Sequence, residues 1–441
     1  MTGPRGHGSR VTARMARRLA ILGTALATLA LVVVVALFLQ GRQARIRLER
    51  EIVQLKAQLM VDRHLGVVRL AAIQEERKRL VEREASVSAQ LEALRESERT
   101  LRLELSEART RAAAGGTEVA GLKARLEATR RHLREFDLDR SRAEQMIGAF
   151  QGGVAFVEGT YGFHDAAGAP LRFAGLDDRG NPETDVEGRP VLSGAGTGPI
   201  VRLRYTGTAF LVSRDGILFT NRHVAEPWFR NAAARELAGK GYSPRMGSLR
   251  AYFPALPTPF NLRVVSVSSE ADVAVVAAEM GEAGPGSSGV SPLGRLPVFP
   301  VDTGDSPAVA GEPIVLLGYP TGHDVLLARL DESVLRNVLE ASEGDTERIT
   351  AELARLGLIR PLATQGHLSD VLPGRLVYDA QTTLGGSGGP ILGAHGRVIG
   401  INAAILTEFS GASFGVPIRF ASALLPAPQK APSPGTRKPS G

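Results

Sequence analysis

The hexapeptide Gly385-Gly386-Ser387-Gly388-Gly389-Pro390 constrains this chain more than any other stretch. Glycine on both sides of a serine lets the backbone turn sharply, so that nearby amide N–H groups can face inward beside the hydroxyl. Such amides form a donor pocket for an oxyanion, with Gly385 and Ser387 as the expected donors and Gly386 as the flexible link between them. A serine hydroxyl is nonetheless a weak nucleophile. It needs an imidazole to take its proton and a buried carboxylate to fix the tautomer of that imidazole. The sequence offers His223, within Thr220-Asn221-Arg222-His223-Val224-Ala225, and Asp272, at the head of the apolar run Val273 to Ala277. The candidate catalytic set is His223, Asp272 and Ser387. The remaining histidines, His323-Asp324 included, read as surface or internally satisfied side chains.

The order of the three residues selects between two folds. Gly385-x-Ser387-x-Gly389 also fits the nucleophile elbow of α/β-hydrolases, in which an acid and then a histidine follow the serine. Beyond Ser387 there is no aspartate, and Glu408 follows His395 instead of preceding it. The elbow also needs a strand-to-helix turn, whereas Arg397 to Asn402 reads as a further strand. His-Asp-Ser is instead the order of chymotrypsin-like β-barrel proteases. The local pattern agrees: Gly207 to Val212 and Gly216 to Thr220 read as two strands joined at Ser213-Arg214-Asp215, the second delivering His223 just past its end.

These motifs resemble a trypsin-like serine peptidase of the HtrA/Deg type. The resemblance rests on the Gly-x-x-Phe strand before the histidine, the Thr-Asn-x-His-Val run, Asp272-Val273-Ala274-Val275, the Gly-x-Ser-Gly-Gly-Pro loop and the Val-Ile-Gly-Ile-Asn strand, in that order. Ala310 to Val315, running on to Gly318-Tyr319-Pro320, resembles the strand before the last catalytic segment. It covers roughly residues 152–420 and implies a mainly β fold, a chymotrypsin-like double β-barrel, with protein or peptide substrates and no cofactor or metal. It further implies that Ile401, Asn402, Ala403 and Ala404 line the primary substrate pocket and pair with substrate as an added strand. Their small apolar side chains suit a small or medium aliphatic residue before the scissile bond. Two departures stand out. Gly386 replaces the asparagine or aspartate that precedes the serine in relatives, which removes activation by pairing with a newly cut N-terminus. Residues 324–360 form an insertion with helical spacing, and no PDZ-like domain is expected after the final strand at 415–420.

The rest of the chain reads as attachments to this domain, assigned to 148–424. The net charge of +7 lies at the ends: five arginines without an acid in the basic tail 1–18, and Lys430, Arg437 and Lys438 in the tail 425–441, expected to be disordered. The remainder is close to neutral, which argues against a nucleic-acid face. Leu19 to Leu39 lacks charged residues. At about 1.5 Å per residue a helix there spans roughly 31 Å, enough for a hydrocarbon core of about 30 Å. A transmembrane helix over 19–39 is therefore expected, with the peptidase domain on the extracytoplasmic side. Across 42–145 a heptad-like apolar seam (Leu94, Leu101, Leu105, Leu122, Leu126 and others) predicts a coiled coil and homo-oligomers, with a weak point at Gly115-Gly116. The absence of cysteine excludes disulfides and zinc–thiolate sites and leaves the compartment open. The rival reading is a membrane-tethered coiled-coil scaffold whose protease-like domain is latent or inactive.

Overall fold

The computed structural model describes most of residues 75–425, apart from 110–115, 178–179, 187, 281–291, 303–307, 383–384, 406–412 and scattered positions before 88. The expected membrane span at 19–39, both tails and the first part of the expected coiled coil lie outside the described residues. Among the described residues no helix is long and apolar enough to cross a membrane.

The heptad seam is used differently from the expectation. Helix α1 (88–109) and helix α2 (Gly116–Phe150) lie antiparallel in one chain. Leu101, Leu105 and Leu126 are buried together with Val119 and Leu122 against them, and Arg130 Nε meets Glu98 Oε1 at 3.1 Å. The seam from the two halves thus closes on itself as a helical hairpin, so over this stretch it needs no second copy to leave water. The physical reason is the Gly115-Gly116 pair, which disfavours one continuous helix. The end of α2 docks on the body of the protein: Ala143 is buried, Met146, Ile147 and Phe150 pack against the main core, and Phe150 stacks on Phe299 at 5.1 Å between ring centroids.

After α2 come β1 (Val154–His164), β2 (Arg172–Phe173), β3 (Leu192–Ser193), β4 (Leu203–Leu211), β5 (Ile217–Thr220), β6 (Ser243–Tyr252), β7 (Phe260–Val267) and β8 (Ala274–Ala278). Six of these close a barrel in the order β1-β4-β5-β8-β7-β6. The second barrel, β10-β11-β14-β13-β12-β9, is built from β9 (Pro313–Gly318), β10 (Leu362–Leu372), β11 (Arg375–Tyr378), β12 (Pro390–Leu392), β13 (Val398–Ile405) and β14 (Ser413–Pro417). All five residues of β8 are buried, as the unbroken apolar run predicts. The expected last strand at 415–420 is shorter than its sequence suggests: β14 ends at Pro417 and the chain turns into helix α8 (Arg419–Ser422).

Residues 158–199 are rich in Gly, Asp and Pro, a loop-like composition, but carry a repeat. Strand β1 runs on to His164, and three Asp-x-x-Gly-x-Pro turns follow, at Asp165, Asp177 and Asp185. In each, the aspartate carboxylate accepts from the amide four residues on at 2.8 Å, and the aspartate amide donates back to that residue's carbonyl. Each glycine has φ near +80° (83°, 82° and 77°), the left-handed region that the turn requires. Isolated bridges His164–Pro170, Leu176–Pro182 and Thr184–Pro190 complete three small hairpins.

The insertion is helical as expected and is embedded in the domain. Helices α5 (His323–Ala328), α6 (Glu332–Ala341) and α7 (Thr346–Arg355) follow the short helices α3 (Arg222–Ala225) and α4 (Ala232–Gly239) of the first barrel. Val325, Leu326, Leu327, Val338, Ile349 and Leu353 join Phe156 and Phe210 of the first barrel and Val315 and Leu317 of the second in one core. Each such side chain contributes about 1.5–3 kcal/mol when fully buried. The half-exposed pairs Arg204–Asp345 and Arg250–Glu347, at 3.8 and 3.7 Å, contribute at most about 1 kcal/mol each, so apolar burial holds the insertion down.

Under this interface lies Glu158, only 4% exposed, on the face of β1 turned to α5 and α7. His323 Nε2 lies 3.7 Å from its Oε1. The Thr350 hydroxyl donates to the Thr346 carbonyl at 3.0 Å, so it accepts from His323 Nε2 at 2.6 Å, and that nitrogen carries a proton. Burial and the nearby Glu347 carboxylate push Glu158 up to about 7, while the Arg204 and Arg250 guanidiniums pull the other way. A carboxyl raised on folding stabilises the fold below its unfolded value near 4.5 and loses that contribution as pH rises to about 7. Between pH 4.5 and 8 the wild-type protein is therefore expected to lose about 3 kcal/mol of unfolding free energy from this group. Glu158→Gln should flatten that part of the curve in denaturant titrations at pH 5 and pH 8.

Candidate active site

The histidine is delivered by a strand end and held by its own backbone. Strand β5 pairs with β8 in the register Thr220–Ala274, which sets the start of α3 beside Asp272, two residues before β8. Asn221, fully buried, donates from Nδ2 to the Asp272 carbonyl at 2.7 Å and ties the two strand ends together. Asp272 then faces His223 twice: Oδ1 accepts from the His223 amide at 3.0 Å and Oδ2 lies 2.7 Å from Nδ1. Burial works against ionisation of Asp272, but the hydrogen bonds and charge of His223 outweigh it and hold the carboxyl below its usual range. An ionised acceptor on Nδ1 leaves Nε2 as the basic nitrogen, which is what a general base for a serine requires.

The nucleophile loop lies across the junction of the two barrels. Thr208 of β4 donates its amide to the Ser387 carbonyl at 2.8 Å and its hydroxyl to the Gly385 carbonyl at 2.8 Å. The same hydroxyl accepts from the Tyr319 amide at 3.1 Å, just beyond β9. Gly388, at φ +90°, passes so close that a Cβ there would strike the Thr208 carbonyl and the Thr220 hydroxyl. On the other side, β13 accepts and donates: Gly388 N–H goes to Asn402 O at 2.8 Å and Asn402 N–H to Gly389 O at 2.9 Å.

Ser387 and His223 line one cleft of about 620 Å3, together with Gly385, Tyr161, Tyr205, Thr206, Thr321 and Asp324. The Ser387 hydroxyl donates to the Ala403 carbonyl at 3.1 Å in this structure. To donate to His223 Nε2 the hydroxyl must leave the Ala403 carbonyl, the kind of tightening that accompanies substrate binding. Ser387 Oγ is thus poised at the edge of β13, and the His223–Asp272 pair is assembled independently of it.

The structure separates the four residues expected to line the substrate pocket. Ile401 is fully buried in the core between the barrels and offers no surface to a substrate. The Asn402 side chain is also buried and turned onto the nucleophile loop, where it donates to the Gly386 carbonyl at 2.7 Å and to the Thr382 hydroxyl at 2.8 Å. The reason is period-two alternation: β13 sends Ile401 and its neighbour to opposite sides of the sheet, both of them covered. The register shift against β14 between Asn402 and Ala404 then leaves the Ala403 carbonyl directed at Ser387. Pairing of β12 with β13 reaches only Ile401, which leaves Ala403 an unpaired edge on that side. Thr208, Asn221, Tyr378 and Thr382 were not singled out by sequence. Asn221 sits inside the Thr-Asn-x-His run and was findable there; the others are remote in sequence and become neighbours only through the barrels. Among the described residues no group of three or more histidine or acidic side chains converges as a metal-ligand set.

Comparison with known proteins fits this geometry. Residues 207–401 match the trypsin-like peptidase domain. That stretch contains His223, Asp272 and Ser387, so all three candidate catalytic residues fall within the part of the chain that is similar to a trypsin-like peptidase domain. HhoB and HhoA of Synechocystis sp., named as candidate serine proteases, are 28% identical over 223 residues and 29% identical over 227 residues. Each match covers 51% of this chain, and 40% and 43% of the respective relative, so the chain spans less than half the length of the curated relatives it matches. A crystal structure of the serine endoprotease from Yersinia pestis aligns over 64% of each chain with 15% identity and a TM-score of 0.35.

Asp272→Asn should keep the hydrogen-bond geometry but invert the tautomer preference of His223. We expect kcat toward a peptide substrate to fall by about 10⁴-fold at neutral pH, with unchanged secondary structure by circular dichroism.

Proposed function

We propose that this protein is a serine endopeptidase of the HtrA/Deg type, in which His223 takes the proton of Ser387 Oγ, Asp272 holds the imidazole, and the Gly385 and Ser387 amides receive the oxyanion. The observation that carries the proposal is the His223–Asp272 pair, at 3.0 and 2.7 Å, facing the same cleft as a serine in a glycine-rich loop. The chemistry follows. Substrate runs beside β13 as an added strand, its backbone amide taking the Ala403 carbonyl. That exchange frees the Ser387 hydroxyl, which gives its proton to His223 Nε2 while Oγ attacks the scissile carbonyl. The tetrahedral oxyanion collapses, His223 returns the proton to the leaving amine, and water repeats the cycle on the acyl-enzyme. Ala403 and Ala404 suit a small or medium aliphatic residue before the cut.

The wider setting rests on sequence. An uncharged span at 19–39, long enough for a bilayer, supports attachment to a membrane, with the peptidase domain outside the cytoplasm and unfolded or membrane-proximal proteins as substrates. The apolar seam upstream of the α1–α2 hairpin, from Leu48 to Val87, supports self-association. A latent scaffold is the second reading, and one observation favours it: the Ser387 hydroxyl bonded to Ala403 instead of to histidine.

The test is cleavage of an unfolded protein such as casein by the full chain and by two variants. Wild type should produce fragments, and Ser387→Ala and His223→Ala should each reduce the rate at least about 10³-fold while leaving thermal unfolding within a few degrees of wild type. Equal cleavage by Ser387→Ala, or none by wild type, would remove the peptidase proposal.

A further inference from the structure

Asn402 holds the loop around Ser387 at three points. Its main chain takes Gly388 N–H and gives its own N–H to Gly389 O, at 2.8 and 2.9 Å, and its side chain donates to Gly386 O at 2.7 Å. The side chain has no freedom to do otherwise. Gly386 O can only accept, so the amide nitrogen must face it, and the remaining Nδ2 hydrogen goes to Thr382 Oγ1 at 2.8 Å. The Tyr378 hydroxyl, whose one hydrogen is shared between Asn402 Oδ1 at 2.6 Å and the Phe414 carbonyl at 3.0 Å, is the partner at the opposite end of the amide. Tyr378 is fully buried, and burial raises its phenol well above the usual range, so it stays a donor throughout the working pH range. Every polar atom of the Asn402 side chain is thereby committed within a site only 3% exposed.

The consequence follows from peptide geometry. In a planar trans peptide the C=O and the N–H point in opposite directions. The Gly386 carbonyl and the Ser387 amide belong to the same peptide. With Gly386 O pulled inward by Asn402, Ser387 N–H is driven outward, and among the described residues it has no protein acceptor. Gly386 O also closes a turn by accepting from Gly389 N–H at 3.2 Å, and Asn402 adds an anchor on the same carbonyl from β13, outside the loop, where glycine at 386 brings no side-chain restraint of its own. We infer that Asn402 is a positioning residue for the oxyanion hole: by anchoring the Gly386 carbonyl it keeps the Ser387 amide aimed at the charge that develops during acylation. It touches neither the substrate nor the reacting atoms. The inference rests on the endopeptidase reading and replaces the substrate-contact role expected for this residue.

Asn402→Asp tests it, because the shape is kept while the donor facing Gly386 O becomes an acceptor. On a peptide amide substrate the variant should lose about 10²–10³-fold in kcat, as removal of one oxyanion donor does, with KM within about threefold of wild type. Its affinity for a peptide boronic acid, whose tetrahedral adduct carries the oxyanion, should fall in proportion to kcat, while affinity for the matching uncleavable peptide should not change. Tyr378→Phe, which leaves the Asn402–Gly386 bond in place, should stay within about tenfold of wild-type kcat. A crystal structure of the wild-type protein with the boronic acid provides a readout that needs no variant: Gly386 O should remain on Asn402 Nδ2 and Ser387 N should face a boronate oxygen. An active wild type whose Asn402→Asp variant keeps kcat and boronate affinity, or a complex in which Gly386 O has left Asn402, overturns this inference alone. A wild type that neither cleaves the peptide nor binds the boronic acid overturns the endopeptidase reading as well.

Discussion

The Thr208 hydroxyl is the point on which this structure turns. It accepts from Tyr319, at the end of a second-barrel strand, and donates to Gly385 of the nucleophile loop, while its own residue belongs to a first-barrel strand. A neutral hydrogen bond contributes only about 1 kcal/mol net, but leaving buried partners unsatisfied costs about 1–3 kcal/mol for each. Separating the barrels would strand the Tyr319 amide, the Gly385 carbonyl and the Ser387 carbonyl together. The loop that carries the serine is therefore stable only where both barrels meet, beside the histidine that the first barrel supplies.

The insertion works on the same junction from below. Gly322 lies against Gly385, where any added side chain on Gly385 would collide with the Tyr319 carbonyl and the Gly322 amide. From there the chain enters α5, whose buried face joins the core shared by the barrels. Glu158 and His323 sit at that contact, 3.7 Å apart and both buried between β1 and α5. Helices α5 to α7 are packed into the support of the site.

Much of this was legible in sequence wherever chemistry and periodicity spoke together. The strands at Gly207–Val212 and Gly216–Thr220 and the run after Asp272 were readable because glycine breaks and unbroken apolar stretches delimit buried strands, and residue order excluded the α/β-hydrolase fold. Three features were not. A heptad seam says that a face must be covered but not by what, and here antiparallel helices of one chain cover each other. Asp-x-x-Gly-x-Pro looks like loop composition until its threefold repetition is noticed; each turn is closed by its own aspartate. The resemblance implied a substrate contact for Asn402; its side chain turns instead onto the Gly386 carbonyl, a partner 16 residues away that only the closed second barrel brings beside it.

Catalysis at this site requires that Ser387 be an activated nucleophile. Labelling of the full chain with a fluorophosphonate, followed by peptide mapping in a mass spectrometer, tests this most directly. The account expects a single covalent adduct on Ser387 that is lost when His223 is replaced by alanine. An intact Ser387 in a folded wild-type protein, or labelling that persists without His223, would contradict it.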